Sequence, residues 1–219
     1  MDFFDGGWYN GSTMRWGETR MNIAKWVFLF TTTVAWGIGV ALLIGMGVLF
    51  IDPNFTPLKI GTSGLGFNII GTAIVGATLG AFSHMGFFAY LTLNFFAQGF
   101  FRSKIVWTYI QIFLIIVVLV YTAALRVPEG NSFLPYTILP IIVLAGAVAI
   151  AWLKMKQTNR SSFIPTLFLM TAITLLEAVP ALRLNNPNST WLMVGPLFAC
   201  NAWQILQLHR LLGTSKLTK

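Results

Sequence analysis

Charge is what this sequence has least of. Only 9% of its 219 residues are Asp, Glu, Lys or Arg, against about a quarter in a water-soluble domain. That shortfall excludes a soluble globular fold. There is one cysteine, Cys200, inside an apolar run, so an internal disulfide framework and a thiolate metal site are both excluded. The sequence carries no HExxH, no paired carboxylates, no P-loop and no aspartate-rich phosphate motif. Neither an enzyme nor a cofactor or metal protein is expected. The length suits one compact bundle, with no room for a sizeable soluble domain beside it. The formal charge of +8 does not point to nucleic acid. The basic residues stand in ones, twos and threes beside apolar runs, as in loops facing anionic membrane lipid.

What is present is apolar length. Hydrophobic residues make up 56% of the chain, in long runs without period-2 alternation, which favours helices over a β-barrel. The first 22 residues are mixed and polar, unlike a cleavable signal peptide, and read as an interfacial leader with Trp8, Tyr9 and Trp16 at the headgroups. Apolar spans follow at about 23–50, 63–97, 105–125, 133–153, 162–182 and 191–212, and a short tail, 213–219, closes the chain. The expected fold is an all-α polytopic membrane bundle.

The stretch 63–101 contains no charged residue, and as one helix it would measure about 58 Å against about 30 Å of hydrocarbon. It is one long span or two short ones. With one span, eleven of the fourteen Lys and Arg fall on one side, leaving Lys59, Arg126 and Arg183 on the other. With two, the division is nine to five. The positive-inside rule selects six spans with both termini cytoplasmic. The excess length then lies at the cytoplasmic end of the second span, where Gly86 and Gly99 are the expected points of bending.

His84 follows Thr72, Gly76 and Gly80 at four-residue steps. Small residues at that spacing admit a close neighbour helix, which puts His84 inside the bundle. Gly76 and Gly80 also offer a seam for a second copy. Two readings of His84 stand side by side: a hydrogen bond to a neighbour such as Asn201 or Gln204, which ranks first, and a ligand, proton or signal site. Glu177 is the only acid inside a span, three residues before Pro180. An unpaired carboxylate is costly there, so it should be neutral or paired with Arg126 or Arg183. Pro196, Asn201, Gln204 and Gln207 make the last span irregular and polar on one side, as interhelical glue does. The sequence Gly61-Thr62-Ser63-Gly64 matches the GxSG of intramembrane serine proteases. Activation needs a base in reach, however, and His84 lies 21 residues further along, about 31 Å on a helix.

Met85-Gly86-Phe87-Phe88-Ala89-Tyr90-Leu91-Thr92, then Gly99, Phe101-Arg102-Ser103, Trp107 and Gln111, resemble the KbaA family, the KinB-signalling pathway activation proteins of spore-forming Gram-positive bacteria. The resemblance is specific over residues 83–111. It implies an integral membrane protein that promotes the activity of a membrane sensor histidine kinase feeding the sporulation phosphorelay, with no catalytic residue to carry over. The candidate interaction residues are His84, Met85, Gly86, Phe87, Phe88, Tyr90, Thr92, Phe101, Arg102 and Ser103. Phe87, Phe88, Phe95, Phe96, Phe100 and Phe101 would pack on a partner's transmembrane helix, with lipid or the chain's own core as the alternative. A second class fits the same span count: a small-solute-binding or transport subunit with a pocket near Glu177 and Arg126.

Overall fold

The structure, a computed structural model, describes residues 23–51, 65–101, 103–127, 134–184 and 186–213. The leader, Ser63 and Arg102 lie outside the described residues. Helix is the regular structure throughout: α1 (Ile23–Ile51), α2 (Leu65–Phe100), α3 (Lys104–Ala124), α4 (Leu134–Gln157), α5 (Phe163–Phe168), α6 (Thr174–Glu177), α7 (Val179–Arg183) and α8 (Pro187–Gly213). Four of these, α1 to α4, are long and apolar enough to cross a membrane. The helix α8 has the length, 27 residues, but a more polar composition. The segment 163–183 is cut into short pieces.

The stretch whose count was ambiguous is one uninterrupted helix of 36 residues, about 54 Å long. No break occurs at Gly86. The corner that follows is tied by Trp107 Nε1, which donates to Asn94 Oδ1 at 2.9 Å. Phe101 lies nearly parallel to the Trp107 ring, centroids 6.1 Å apart. These contacts fold α3 back along α2.

The α1 helix buries Leu29, Thr33, Gly37, Ala41, Gly45 and Val48, a stripe at near four-residue steps that runs against α2 and α8. The backbones touch along it. A Cβ added to Gly76 would lie 2.6 Å from the Gly37 carbonyl oxygen and 2.8 Å from Ile38 Cα, and one added to Gly80 would lie 2.8 Å from Val34 Cα. Gly76 and Gly80 are therefore spent inside the chain. Packing against α1 leaves no close-approach surface there for a second copy, which corrects the expectation of an oligomer seam.

Segment 163–183 sits at the centre. Leu169, Met170, Ala172, Leu175, Ala178 and Leu182 are buried, and α3, α4 and α8 pack around them. Residues Leu169–Ile173 form a π-turn, and the chain turns again at Ala178. Pro180 follows near the start of α7; it lacks the N–H that a continuous helix would need. The next helix starts cleanly at Pro187, because Asn186 Oδ1 accepts from the Asn188 N–H at 3.0 Å and Pro is pre-organised for a first helical position.

At its far end α8 is held by lysines. Lys154 Nζ donates to the Ile205 carbonyl at 2.6 Å, and Lys25 Nζ to that of Leu211 at 2.7 Å, in the last turn, where the helix dipole favours cations. Lys154 is 5% exposed. Lys154→Met should lower stability by about 1.5–3 kcal/mol, the usual range for a bond to a charged group. Lys156→Met, which removes only a surface contact over Trp152, should change little. Thermal unfolding of the two variants in detergent checks the contrast.

Candidate functional site

The helices α2, α6 and α8 bring polar side chains together in the interior. Ser83 and His84 are neighbours on α2. Asn201 and Gln204 are three apart on α8, and Thr174 and Glu177 three apart on α6, so each pair shares a helical face. Ser83, Thr174, Asn201 and Gln204 are fully buried.

One carbonyl fixes how they are joined. Gln204 Nε2 lies 3.3 Å from the Cys200 carbonyl, which can only accept, so the amide is oriented with its Nε2 inward. The same nitrogen donates to Ser83 Oγ at 2.8 Å, and Gln204 Oε1 is left facing His84 Nδ1 at 3.0 Å. His84 Nδ1–H is then the donor. The Ser83 hydroxyl donates to Asn201 Oδ1 at 3.0 Å. Asn201 Nδ2 donates to Glu177 Oε2 at 2.9 Å and to Thr174 Oγ1 at 3.0 Å. Every bond from His84 to Glu177 points the same way.

Glu177 Oε1 has no hydrogen-bond partner. It rests on Gly86, where an added Cβ would collide with it and would lie 2.7 Å from the carboxyl carbon. The glycine is a seat for the carboxyl group, not a hinge. Glu177 is bonded to Asn201 instead of being paired with Arg126 or Arg183, because α8 presents an amide at the level where the π-turn and Ala178 leave the acid facing inward.

The remaining candidate residues divide by helix face. Phe87 and Tyr90 are buried, with Tyr90 6.3 Å from the Phe168 ring. His84 is half-buried and meets Phe30 and Trp26 of α1 edge to face, at 5.3 and 6.1 Å. Met85, Phe88 and Thr92 are exposed, and the Thr92 hydroxyl bonds only to its own helix, at the Phe88 carbonyl. Phe101 is half-buried on Trp107 and Ser103 is exposed. Gln111 is fully buried, and neither of its amide atoms has a hydrogen-bond partner among the described residues. Ser83 and Thr174 escaped the sequence reading. For Ser83 there was a signal: it adjoins His84 and lies seven residues, two helical turns, beyond Gly76 on the small-residue face.

Long apolar helices, large apolar side chains on the outside and one internal polar chain define a helical bundle of membrane-protein type with a buried polar site. Over residues 37–211 the chain matches the KbaA family, described as KinB-signalling pathway activation in sporulation. It is 42% identical over 140 residues to the KinB-signaling pathway activation protein of Bacillus subtilis (strain 168), covering 62% of this chain and 71% of that protein. The chain belongs to the KbaA family. No solved structure matches it.

Proposed function

We propose that the protein is a non-enzymatic, multi-pass regulator of the cell membrane that promotes activation of a membrane sensor histidine kinase in the sporulation phosphorelay. Membership of the KbaA family is the observation that carries this reading. We also infer six crossings with both termini cytoplasmic. The unbroken α2 supports one crossing for 63–101, and the eleven-to-three division of Lys and Arg supports the orientation. The ends of α2 and α3 joined by residues 101–103 then face the cytoplasm, where a kinase's signalling helices leave the membrane and where anionic lipid awaits Arg102.

The kinase would meet the outward stripe of α2. Met85, Phe88, Phe96 and Phe100 are 68%, 53%, 67% and 82% exposed and, with the exposed Thr92 between Phe88 and Phe96, fall at three- and four-residue steps on the opposite side from Leu79, Ser83, Phe87 and Tyr90. Met85→Ala and Phe96→Ala should each weaken kinase binding about tenfold, the loss of about 1.4 kcal/mol at an interface anchor, without moving the unfolding midpoint. Phe87→Ala should instead cost about 3–5 kcal/mol of stability. Co-purification of the kinase with each variant from detergent extracts is the measurement. A wild-type protein that captures no kinase, in a host whose sporulation is undisturbed by the deletion, would remove the proposal.

The transport reading asks for a pocket at Glu177 and Arg126. A cleft of about 450 Å³ between α2, α7 and α8 is lined by Ile74, Thr78, Phe82, Pro180, Leu184 and Met193 among others and contains neither residue. The Glu177 carboxyl group is itself occupied by Asn201 and Gly86. No observation favours that second reading.

A further inference from the structure

We propose that Glu177 is a proton-binding site whose state is transmitted to His84, 93 residues away in sequence, by reversal of the hydrogen-bond chain between them. The inference stands on geometry independent of any kinase partner. Five side chains, His84, Gln204, Ser83, Asn201 and Glu177, are linked by four contacts of 2.8–3.0 Å. Each of the three links in the middle, two amides and a hydroxyl, has both a donor and an acceptor. Such a chain has two consistent directions. Mixed arrangements leave two donors or two acceptors facing each other in a buried setting, where an unmade bond is expensive.

The direction present in the structure ends with Glu177 Oε2 accepting. A proton on Oε1 would stand unbonded against Gly86, whereas on Oε2 the new O–H is a donor aimed at Asn201 and is satisfied once that amide offers Oδ1. The Asn201 amide turns over and its Nδ2 donates to Ser83 Oγ. Ser83 donates to Gln204 Oε1, and Gln204 Nε2 donates to His84 Nδ1. The histidine proton leaves Nδ1 to the surroundings of the half-buried ring and one is taken up at Nε2, so the imidazole remains neutral. One proton is bound overall, at Glu177. No proton crosses the amides.

Two neighbouring bonds set the balance. Reversal gives up the 3.3 Å bond from Gln204 Nε2 to the Cys200 carbonyl and turns Gln204 Oε1 toward that oxygen, which is what holds the present direction while Glu177 is ionised. At the other end Thr174 compensates: its hydroxyl, held only by a 3.4 Å bond to the Leu169 carbonyl across the π-turn, can turn and donate to Asn201. The titratable group beside Glu177 is Cys200 on α8. Around the chain stand the neutral Gly86 and Ser83 of α2 and Thr174 of α6, and neither Arg126, just beyond α3, nor Arg183 of α7 pairs with the carboxylate. The readout lies against Phe30 and Trp26 of α1, whose rings meet the imidazole.

The test uses the full chain in lipid nanodiscs with ¹⁵N-labelled histidine. The sequence has two histidines, so the spectrum holds the half-buried His84 as reporter and the exposed His209 as an internal control. On acidification the His84 proton should move from Nδ1 to Nε2 while the ring stays neutral. In Ser83→Ala, with the middle link removed, this exchange should vanish while the His209 signals match those of the wild type. In Glu177→Gln the His84 tautomer should no longer depend on pH. A wild-type His84 that keeps one tautomer until it becomes an imidazolium overturns the proposal, even if neither variant folds. An exchange that persists unchanged in either variant overturns it too.

Discussion

Gly76→Leu should separate α1 from α2 and lower stability by about 3 kcal/mol, the upper part of the usual range for overpacking. The neighbours of the missing Cβ are mostly backbone: the Gly37 carbonyl oxygen at 2.6 Å and Ile38 Cα at 2.8 Å, with Ala41 Cβ at 2.7 Å. None is the far end of a flexible side chain that can swing away. Two helices would have to part along a seam that also holds Gly80 against Val34. Without an apolar driving force between helices in lipid, close packing of this kind carries much of their association. Glycines elsewhere on the same helices supply the control. Gly39 and Gly47 of α1 and Gly66 and Gly99 of α2 have open space where a Cβ would sit, and alanine there should be neutral or stabilising by up to about 1 kcal/mol. Thermal unfolding in nanodiscs compares the series. Equal midpoints for Gly76→Leu and Gly47→Ala would mean that the seam does not exist.

The same comparison explains what could be read from the sequence. Long apolar runs announce helices, and α1 to α4 lie where such runs lie. The unity of α2 was legible too, from a quantity outside the stretch: the sidedness of lysines and arginines in other loops. His84 was placed inside the bundle by the small residues four apart before it, and Gln204 was among the partners named for it. Gly86 was misread. A lone glycine in a long apolar run looks like a hinge, whereas its role is set by a carboxyl group 91 positions later that rests on it. Sequence distance hides that kind of contact. The π-turn at Leu169–Ile173 left no signal either, because neither glycine nor proline stands within it. It is a product of packing at the centre of the bundle. Glu177 was singled out as an intramembrane acid, but its partner was sought among arginines. Charge pairing is the simplest local rule, and here an amide on α8 supersedes it.

Gly86→Ala is the variant that tests the seat itself. The added methyl would occupy the space of Glu177 Oε1, so the carboxyl group must leave its place or α2 must move away from α6. The first outcome breaks the bond from Asn201 to the carboxyl group and the second the bond from Ser83 of α2 to Asn201, and the expected loss is about 2–3 kcal/mol. Glu177→Ala alone should be milder, about 0.6–1.7 kcal/mol, since Asn201 keeps Thr174 as an acceptor and hydrogen bonds between membrane helices are individually modest. Combined, the two changes should melt close to Glu177→Ala alone, a coupling of about 2–3 kcal/mol between residues in direct contact. Additive losses would mean that Gly86 answers to some other neighbour. The double variant then separates packing from chemistry. It restores the helix contact but leaves the polar chain without its terminal acid. If that chain serves the kinase, the restored fold should still fail to raise kinase autophosphorylation in co-reconstituted vesicles. Full activation by the double variant would reduce Glu177 to a structural residue and leave the exposed face of α2 as the whole of the site.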